Sequence, residues 1–351
     1  MAAPERHAFG IILGDQPVTV DPRAHLDMVL RQVEAAQRNG FTYICLGQHF
    51  LYDGFRWLQP IPLLARLAAE TGPEVRLAPT VIVSPFYHPV VLAEELATLD
   101  IISDGRLIVG IGSGYAPVEF EHLQVPYAER FRRMEEGIEL IRLAWRPEPF
   151  DFDGEFWQLH NATPHVLPLQ RPHPPLWMGA MRSIGVRRAA RLGDAWMVTP
   201  ETPFWEARES YALFSAVREQ RRLGPVAVPM RREIVLGRDR AEALQAYAAR
   251  SRDRYLAYTQ RGNDEYQRHG SSLDDFEAWA DERAIVGSAA ECVAAIEQLD
   301  AGMFDPLIVR AAWPGQTGEQ VIDYLDQLGR EVISTVARPT TPGAERLPAP
   351  R

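Results

Sequence analysis

The segment 76–114 constrains the fold more than any other part of the chain, because it contains a complete strand–helix–strand pattern. Its first apolar run, 77–83, is short and β-branched, as expected of a strand buried on both faces. Apolar residues then recur three or four positions apart over 92–102, which predicts a helix with one apolar face. A second apolar run, 106–111, leads into Gly112-Ser113-Gly114, where the absence of Cβ atoms lets a ligand approach the backbone. The unit therefore predicts a parallel sheet with a site at the carboxyl ends of its strands.

The same alternation continues toward both ends of the chain and predicts about eight strands. They cover residues 7–13, 43–47, 77–83, 106–111, 176–179, 196–199, 228–237 and 306–310. Eight such units predict an α/β fold in the form of a closed (β/α)8 TIM barrel, a single domain over 1–337. The alternative is an open doubly wound sheet, which would need a Gly-x-Gly-x-x-Gly turn near the N-terminus, and the sequence has none there.

Two long segments interrupt the repeat. They are a proline-rich stretch of about 147–175 and a polar stretch of about 250–283. Long insertions on a barrel often act as lids, and we assign this role to the second segment. The proline-rich residues 338–351 are expected to form a disordered tail.

Charge and composition exclude several classes of function. A formal net charge of -10 without a basic run argues against a nucleic-acid partner. The chain contains no lysine, which excludes a Schiff base, a Walker-type phosphate site and a lysine general base. Its two cysteines, Cys45 and Cys292, have neither disulfide-framework nor zinc-ribbon spacing. With no signal-peptide pattern and no apolar stretch of about twenty residues, the sequence favours a cytoplasmic protein without a membrane span.

Residues directly after the strands of a barrel line its site, so these positions supply the candidates. His49 follows the second strand and is a candidate proton donor or acceptor. Four aromatic residues come next and favour a flat cofactor or an apolar substrate: Phe50, Tyr52, Phe55 and Trp57. His88 precedes a helix and either caps that helix or serves the site.

The turn after the fifth strand is a candidate phosphate site. It consists of Gly179, Ala180, Met181, Arg182 and Ser183 and opens a helix, whose free N–H groups attract anions. An ordinary helix start with Ser183 as N-cap is the alternative.

Two other kinds of site find little support. His160, His165 and His173 match no ligand motif, so no metal is expected. A glycosidase would place paired carboxylates after the strands, and neither Glu119 with Glu121 nor Asp15 and Glu201 form a compelling pair.

Five segments, found in order over about 7–333, carry a family resemblance. They are GFTYICLGQHF, SPFYHPVVLAEELATLD, ISDGRLIVGIGSGY, PPLWMGAMRSIGVRRAARLGDAW and IVGSAAECVAAIEQLDAGMFDPLIV. Together they resemble the bacterial luciferase-like superfamily of flavin-dependent oxidoreductases. The resemblance implies a (β/α)8 barrel, a homodimer or higher oligomer, and FMN or the deazaflavin coenzyme F420 bound at the strand carboxyl ends.

The resemblance also assigns roles by position. His49 matches the family histidine that faces the flavin ring and assists proton transfer. Thr80 lies where the family often has a non-prolyl cis peptide bond, on a side that the sequence does not specify. The other implied cofactor contacts are Gly112, Ser113, Gly179, Ala180, Met181, Arg182, Ser183 and Thr199. The expected substrate pocket consists of Phe50, Tyr52, Trp57, His88 and Tyr115.

Three positions depart from well-known members. Bacterial luciferase has cysteine and arginine where this chain has Gly112 and Ser113. Tyr115 replaces the acidic residue of F420-dependent sugar-phosphate dehydrogenases. Neither activity is therefore favoured.

The function that the sequence favours is that of a two-component monooxygenase. Reduced FMN, supplied by a separate flavin reductase, would react with O2 and oxygenate a small, mostly apolar substrate. Hydride transfer with coenzyme F420 and a non-catalytic flavin-binding relative are the alternatives.

Overall fold

The computed structural model describes residues 6–13, 15–263, 265, 268, 274–313 and 316–337. The segment 338–351, for which the sequence predicts a disordered tail, lies outside the described residues.

Short strands alternate with helices along the chain. The strands are β1 (Phe9–Leu13), β2 (Gln16–Pro17), β3 (Phe41–Leu46), β4 (Phe55–Arg56), β5 (Arg76–Pro79), β6 (Ile82–Val83), β7 (Val109–Gly112), β8 (Phe150–Asp153), β9 (Gln158–Ala162), β10 (Leu176–Gly179), β11 (Ala195–Met197), β12 (Val228–Leu236), β13 (Ile285–Gly287) and β14 (Phe304–Arg310). The helices are α1 (Pro22–Arg38), α2 (Pro60–Ala68), α3 (Pro89–Ile102), α4 (Pro117–His122), α5 (Arg130–Ala144), α6 (Ser183–Leu192), α7 (Phe204–Gln220), α8 (Arg240–Gln260), α9 (Phe276–Asp281), α10 (Ala289–Glu297), α11 (Gly318–Leu328) and α12 (Ser334–Val336).

The parallel strands close into a barrel. One run pairs in the order β12–β14–β1–β3–β5, and a second in the order β6–β7–β10–β11. Parallel bridges between Leu77 and Leu107, and between Val198 and Met230, join the two runs at both seams. The ring therefore has eight staves, with β5 and β6 forming one interrupted stave, and the barrel predicted from the sequence is confirmed.

The helices cover the outside of the barrel with their apolar faces. In α3 most of the predicted stripe is covered, since Leu92, Leu96 and Leu99 are each at most 1% exposed, whereas its last member, Ile102, is 52% exposed. Strand residues such as Ile44 and Val109 are buried as well, because the helices cover the outer face and neighbouring strands fill the interior. The apolar runs of the sequence are thus explained by burial on both faces.

The third predicted strand differs from its prediction because it is divided. A non-prolyl cis peptide bond joins Thr80 to Val81 and separates β5 from β6. At this division the chain passes close to β7, where an ideal Cβ atom on Gly110 would lie 2.1 Å from the Pro79 carbonyl oxygen. Glycine at 110 therefore allows the two strands to meet.

Both long insertions contain regular structure. The segment 147–175 includes the antiparallel hairpin of β8 and β9. The segment 250–283 was predicted to lie outside the regular repeat; in the structure its first residues complete α8 and its later residues include α9. These helices form a second apolar cluster, in which Tyr247, Tyr255, Trp279 and Trp313 are buried.

Cys45 and Cys292 are buried free thiols. Within the part of the chain that the structure describes, no helix has both the length and the apolar character needed to cross a membrane.

Substitution of Gly110 tests the close approach of β5 and β7. We expect Gly110→Ala to lower the free energy of unfolding by at least about 2 kcal/mol, because a Cβ atom there meets backbone rather than a flexible side chain. Chemical denaturation measures this value. Gly224→Ala is the matched control, since its Cβ meets nothing within 4 Å and should change stability by less than about 0.5 kcal/mol. If Gly110→Ala were as stable as wild type, the close approach of β5 and β7 would not require glycine at 110.

Candidate active site

The carboxyl ends of the barrel strands surround a cleft of about 1060 Å³, including its open mouth. Most of the residues predicted from the sequence lie in its wall: His49, Trp57, Thr80, Gly112, Ser113, Tyr115, Gly179, Ala180, Met181 and Thr199. The structure therefore brings together residues that are up to 150 positions apart in the sequence.

The remaining predicted residues lie outside the cleft wall. Phe50 and Tyr52 belong to the aromatic cluster behind His49, where Phe50 packs edge-on against Phe86. His88 is exposed and caps α3, because its Nδ1 atom accepts a hydrogen bond from the Val90 N–H. Arg182 and Ser183 line a separate groove beside α6.

A buried carboxylate fixes the orientation of the His49 ring. His49 Nδ1 lies 3.0 Å from Glu119 Oε1, which also accepts a 2.7 Å hydrogen bond from the Phe50 N–H. An ionised carboxylate only accepts hydrogen bonds, so a proton is held on Nδ1 and the Nε2 atom is left for the cleft. Nε2 lies 3.5 Å from the Tyr115 hydroxyl.

Sequence reasoning missed the role of Glu119. The sequence suggested Glu119 only as a glycosidase carboxylate beside Glu121, whereas it lies on α4 and its side chain is only 4% exposed. It is 70 residues from His49, and only closure of the barrel brings the two together. A carboxylate four residues after Tyr115 was the only available signal.

Aromatic rings enclose the histidine. The ring centroids of Tyr52 and Trp57 lie 4.8 and 4.7 Å from that of His49, and the Tyr115 centroid lies 5.7 Å away. Burial, together with the nearby Tyr258, Tyr52, Glu119 and Glu201, raises the pKa of Tyr115 well above its ordinary value. The Tyr115 phenol is therefore protonated at neutral pH and can donate a hydrogen bond.

Glycines shape the opposite wall of the cleft. An ideal Cβ atom on Gly112 would lie 2.5 Å from Val81 Cγ2, and one on Gly179 would lie 3.2 Å from Val81 Cγ1. The space beside both glycines is therefore occupied by the Val81 side chain, which packs directly against their backbone. Val81 and the two glycines together line this part of the cleft.

The loop between β10 and α6 connects the cleft to the groove beside α6. Gly179, Ala180 and Met181 line the cleft, and Arg182 and Ser183 line the groove. Arg182 occupies the N-cap position of α6, so the alternative of Ser183 as N-cap is wrong. The exposed N-terminus of the helix favours a phosphate, although Arg182 is ion-paired with Glu265 and the groove is also lined by Glu206 and Glu209.

Helix α8 closes one side of the cleft through a buried ion pair. Arg254 donates hydrogen bonds of 2.6 and 3.0 Å to the two Asp15 carboxylate oxygens, and their side chains are 10% and 1% exposed. Tyr258 of the same helix lines the cleft. Burial acts to raise the pKa of Asp15, but the charge and hydrogen bonds of Arg254 outweigh it and hold this pKa below its ordinary value.

Among the described residues, no group of histidine, cysteine, aspartate and glutamate side chains could hold a metal ion.

The model of the luciferase-like monooxygenase family matches residues 8–306. The chain belongs to this family. The resemblance noted in the sequence is therefore confirmed over most of the chain.

Similar proteins of known name use two different cofactors. The oxygenase component of flavin-dependent trigonelline monooxygenase from Acinetobacter baylyi is 35% identical over 177 residues, which are 50% of this chain and 48% of that protein. F420-dependent glucose-6-phosphate dehydrogenase from Microbacterium testaceum is 32% identical over 170 residues, 47% of this chain and 50% of that protein. The chain spans about half the length of these curated relatives.

A solved structure resembles this luciferase-like chain over nearly its whole length. Monooxygenase RslO1 from Streptomyces bottropensis superimposes with a TM-score of 0.81 and 27% sequence identity, covering 94% of this chain and 100% of that chain.

Removal of the Glu119 carboxylate tests its part in the site. We expect Glu119→Ala to lower the free energy of unfolding by about 1–3 kcal/mol, because two buried donors, on His49 and Phe50, lose their acceptor. Glu119→Gln keeps an acceptor oxygen and should remain within about 1 kcal/mol of wild type. The exposed Glu121→Ala is the matched control. Equal stability of Glu119→Ala and Glu121→Ala in chemical denaturation would contradict the assignment.

The Asp15–Arg254 pair makes stability depend on pH. Because the folded-state pKa of Asp15 is depressed, the pair stabilises the fold above the unfolded pKa of about 3.9, and this contribution is lost as pH falls through the folded-state pKa. We expect Asp15→Asn to lower the free energy of unfolding by about 3 kcal/mol at pH 7. As the pH is lowered, the free energy of unfolding of this variant should fall less than that of wild type. Denaturation curves at several pH values measure both, with exposed Asp27→Asn as the charge control. An acid dependence identical to wild type would show that Asp15 does not cause it.

Proposed function

We propose that this chain is the oxygenase component of a two-component flavin monooxygenase that uses reduced FMN and O2 to oxygenate a small organic substrate. A separate flavin reductase supplies the reduced FMN. The observation that carries this proposal is the enclosed His49–Glu119 pair, which places an oriented imidazole in a cleft with aromatic walls. The named monooxygenases among the similar proteins support the same conclusion.

The size and lining of the cleft suit a flavin. Gly112, Ser113, Gly179 and Thr199 line it and would contact the ring. Arg182 and Ser183, at the N-terminus of α6, would hold the phosphate. When bound, reduced flavin supplies the electrons with which O2 is activated.

The protein's own residues transfer the proton and exclude water. His49 holds a proton on Nδ1 against Glu119 and transfers a proton through Nε2, the ring atom on the side of Tyr115 and the cleft. The rings of Trp57, Tyr115 and Tyr258 exclude water from this position. The enclosed cleft therefore protects the reaction from interference by water.

Hydride transfer with coenzyme F420 is the second candidate, favoured by the dehydrogenase among the similar proteins. The homodimer or higher oligomer, the cytoplasmic location and the lid role of 250–283 stay predictions.

Anaerobic titration with reduced FMN and, in parallel, with reduced F420 tests the proposed function. We expect reduced FMN to bind, and mixing of the complex with aerated buffer to give a transient absorbing species that free reduced FMN does not give. Binding of F420 without a reaction with O2 would establish hydride transfer instead. Binding of neither would remove the flavin assignment.

The variant His49→Ala tests the role of His49 in the same experiment. We expect the variant to bind reduced FMN within a few-fold of wild type and to slow decay of the transient species by about 100-fold, a usual range for loss of a general acid or base. His165→Ala, an exposed histidine outside the cleft, is the control. If the transient species decays at the same rate in His49→Ala and His165→Ala, His49 has no part in proton transfer.

A further inference from the structure

The cleft wall formed by β12 and β14 carries charged residues that the proposed function does not use. Arg231 and Arg310 line the cleft, and Glu233 lies between them. Residues 231 and 233 are two positions apart on one strand, and Glu233 is in register with Arg310, so all three belong to one face. Arg310 and Glu233 are 2% and 1% exposed.

Both guanidinium groups lie near the Glu233 carboxylate. Arg231 Nη2 lies 3.7 Å and Arg310 Nε 3.8 Å from Glu233 Oε1, both longer than a hydrogen bond. The same oxygen instead accepts a 3.0 Å hydrogen bond from the Tyr255 hydroxyl. The nearby Arg254 is paired with Asp15. Arg310 is therefore held near Glu233 without a hydrogen bond between Arg310 Nε and Glu233 Oε1.

Arg310 has a donor that the described protein atoms do not satisfy. Its buried Nη1 atom has no hydrogen-bond partner among the residues that the structure describes. A buried donor of a charged group is costly when it is left unpaired, so an acceptor supplied by a ligand would stabilise it. Burial, with the charges of Arg254 and Arg231, also lowers the pKa of Arg310, as expected of a cation without a full counter-charge.

The ring order separates Arg310 from the loop proposed to hold the cofactor phosphate. In the order β1, β3, β5, β7, β10, β11, β12, β14, the strand that carries Arg310 is eighth. The proposed phosphate loop follows β10, the fifth stave. Arg310 is thus placed for a group other than the cofactor phosphate.

The rest of the cleft limits the shape and orientation of the ligand. Trp57, Tyr115 and Tyr258 supply aromatic surface for a flat, apolar body. Glu201 lines the cleft after β11, and its charge would repel an anion placed there. The wall of β12 and β14 is the place that remains for a negative group.

We propose that the substrate of this enzyme is a small planar molecule that carries a carboxylate-sized anionic group, and that Arg310 binds this group. The inference rests on the proposed function, because it treats the ligand of the cleft as the oxygenated substrate. It replaces the mostly apolar substrate expected from the sequence with an apolar body that has a charged end.

Matched aromatic probes test this inference directly. Benzoate and benzamide have the same shape and differ in charge, and anaerobic calorimetry measures their affinity for the full chain with and without reduced FMN. We expect wild type to bind benzoate about tenfold or more tightly than benzamide, the gain of one charge-assisted contact. Arg310→Gln should reduce this preference to about twofold or less. Arg310→Lys should retain part of it, and the exposed Arg23→Gln should leave it unchanged.

Each outcome decides the inference separately from the flavin assignment. Equal affinity of wild type for the two probes overturns it, whether or not any variant folds. Competition between benzoate and reduced FMN also overturns it, because the anion would then occupy the cofactor site. A preference for benzoate that Arg310→Gln abolishes, while that variant still binds reduced FMN, supports it. The same preference in a chain that binds neither flavin nor F420 would preserve the anion site and reject the proposed function.

Discussion

Closure of the barrel at the seam between β5 and β7 is the constraint on which the rest of the structure depends. Here the Leu77 N–H donates to the Arg106 carbonyl oxygen and the Ile108 N–H to the Leu77 carbonyl oxygen, at 3.0 and 2.9 Å. Gly110 provides the space for the Pro79 carbonyl oxygen. Below the seam the buried Arg106 guanidinium donates to carbonyl oxygens of both flanking segments, which include Ala68 and Ser103. The seam therefore fixes the positions of Thr80 and Gly112 on neighbouring staves at the mouth of the cleft.

The sequence predicted the barrel because its signal is local. Staves buried on both faces appear as short apolar runs, and the residues after them, such as His49 and Gly112, necessarily lie at the mouth. Contacts that depend on ring closure had no such signal. Glu119 reaches His49 from a different unit of the barrel, and Arg310 meets Glu233 only because β14 returns beside β12. The outer strand β13 was missed because it is only three residues long and lies outside the ring.

The charged groups of the cleft lie at three different places in the ring. His49 follows β3, where Glu119 on α4 orients its ring. The loop proposed to bind a phosphate follows β10, and Arg310 lies at the end of β14. Under the proposed function these groups would act on different parts of the bound molecules, so one fold would orient a cofactor and a substrate through separate residues.

Helix α8 encloses the cleft on one side. It is tied to the barrel by the Arg254–Asp15 pair, places Tyr258 in the cleft wall, and buries Tyr255 so that its hydroxyl donates to Glu233. The same helix therefore covers the cleft and supports the carboxylate that the two arginines share. A low-dielectric cover strengthens every charged contact beneath it, so the anion selectivity proposed for Arg310 and the proposed exclusion of water from His49 would have one structural cause.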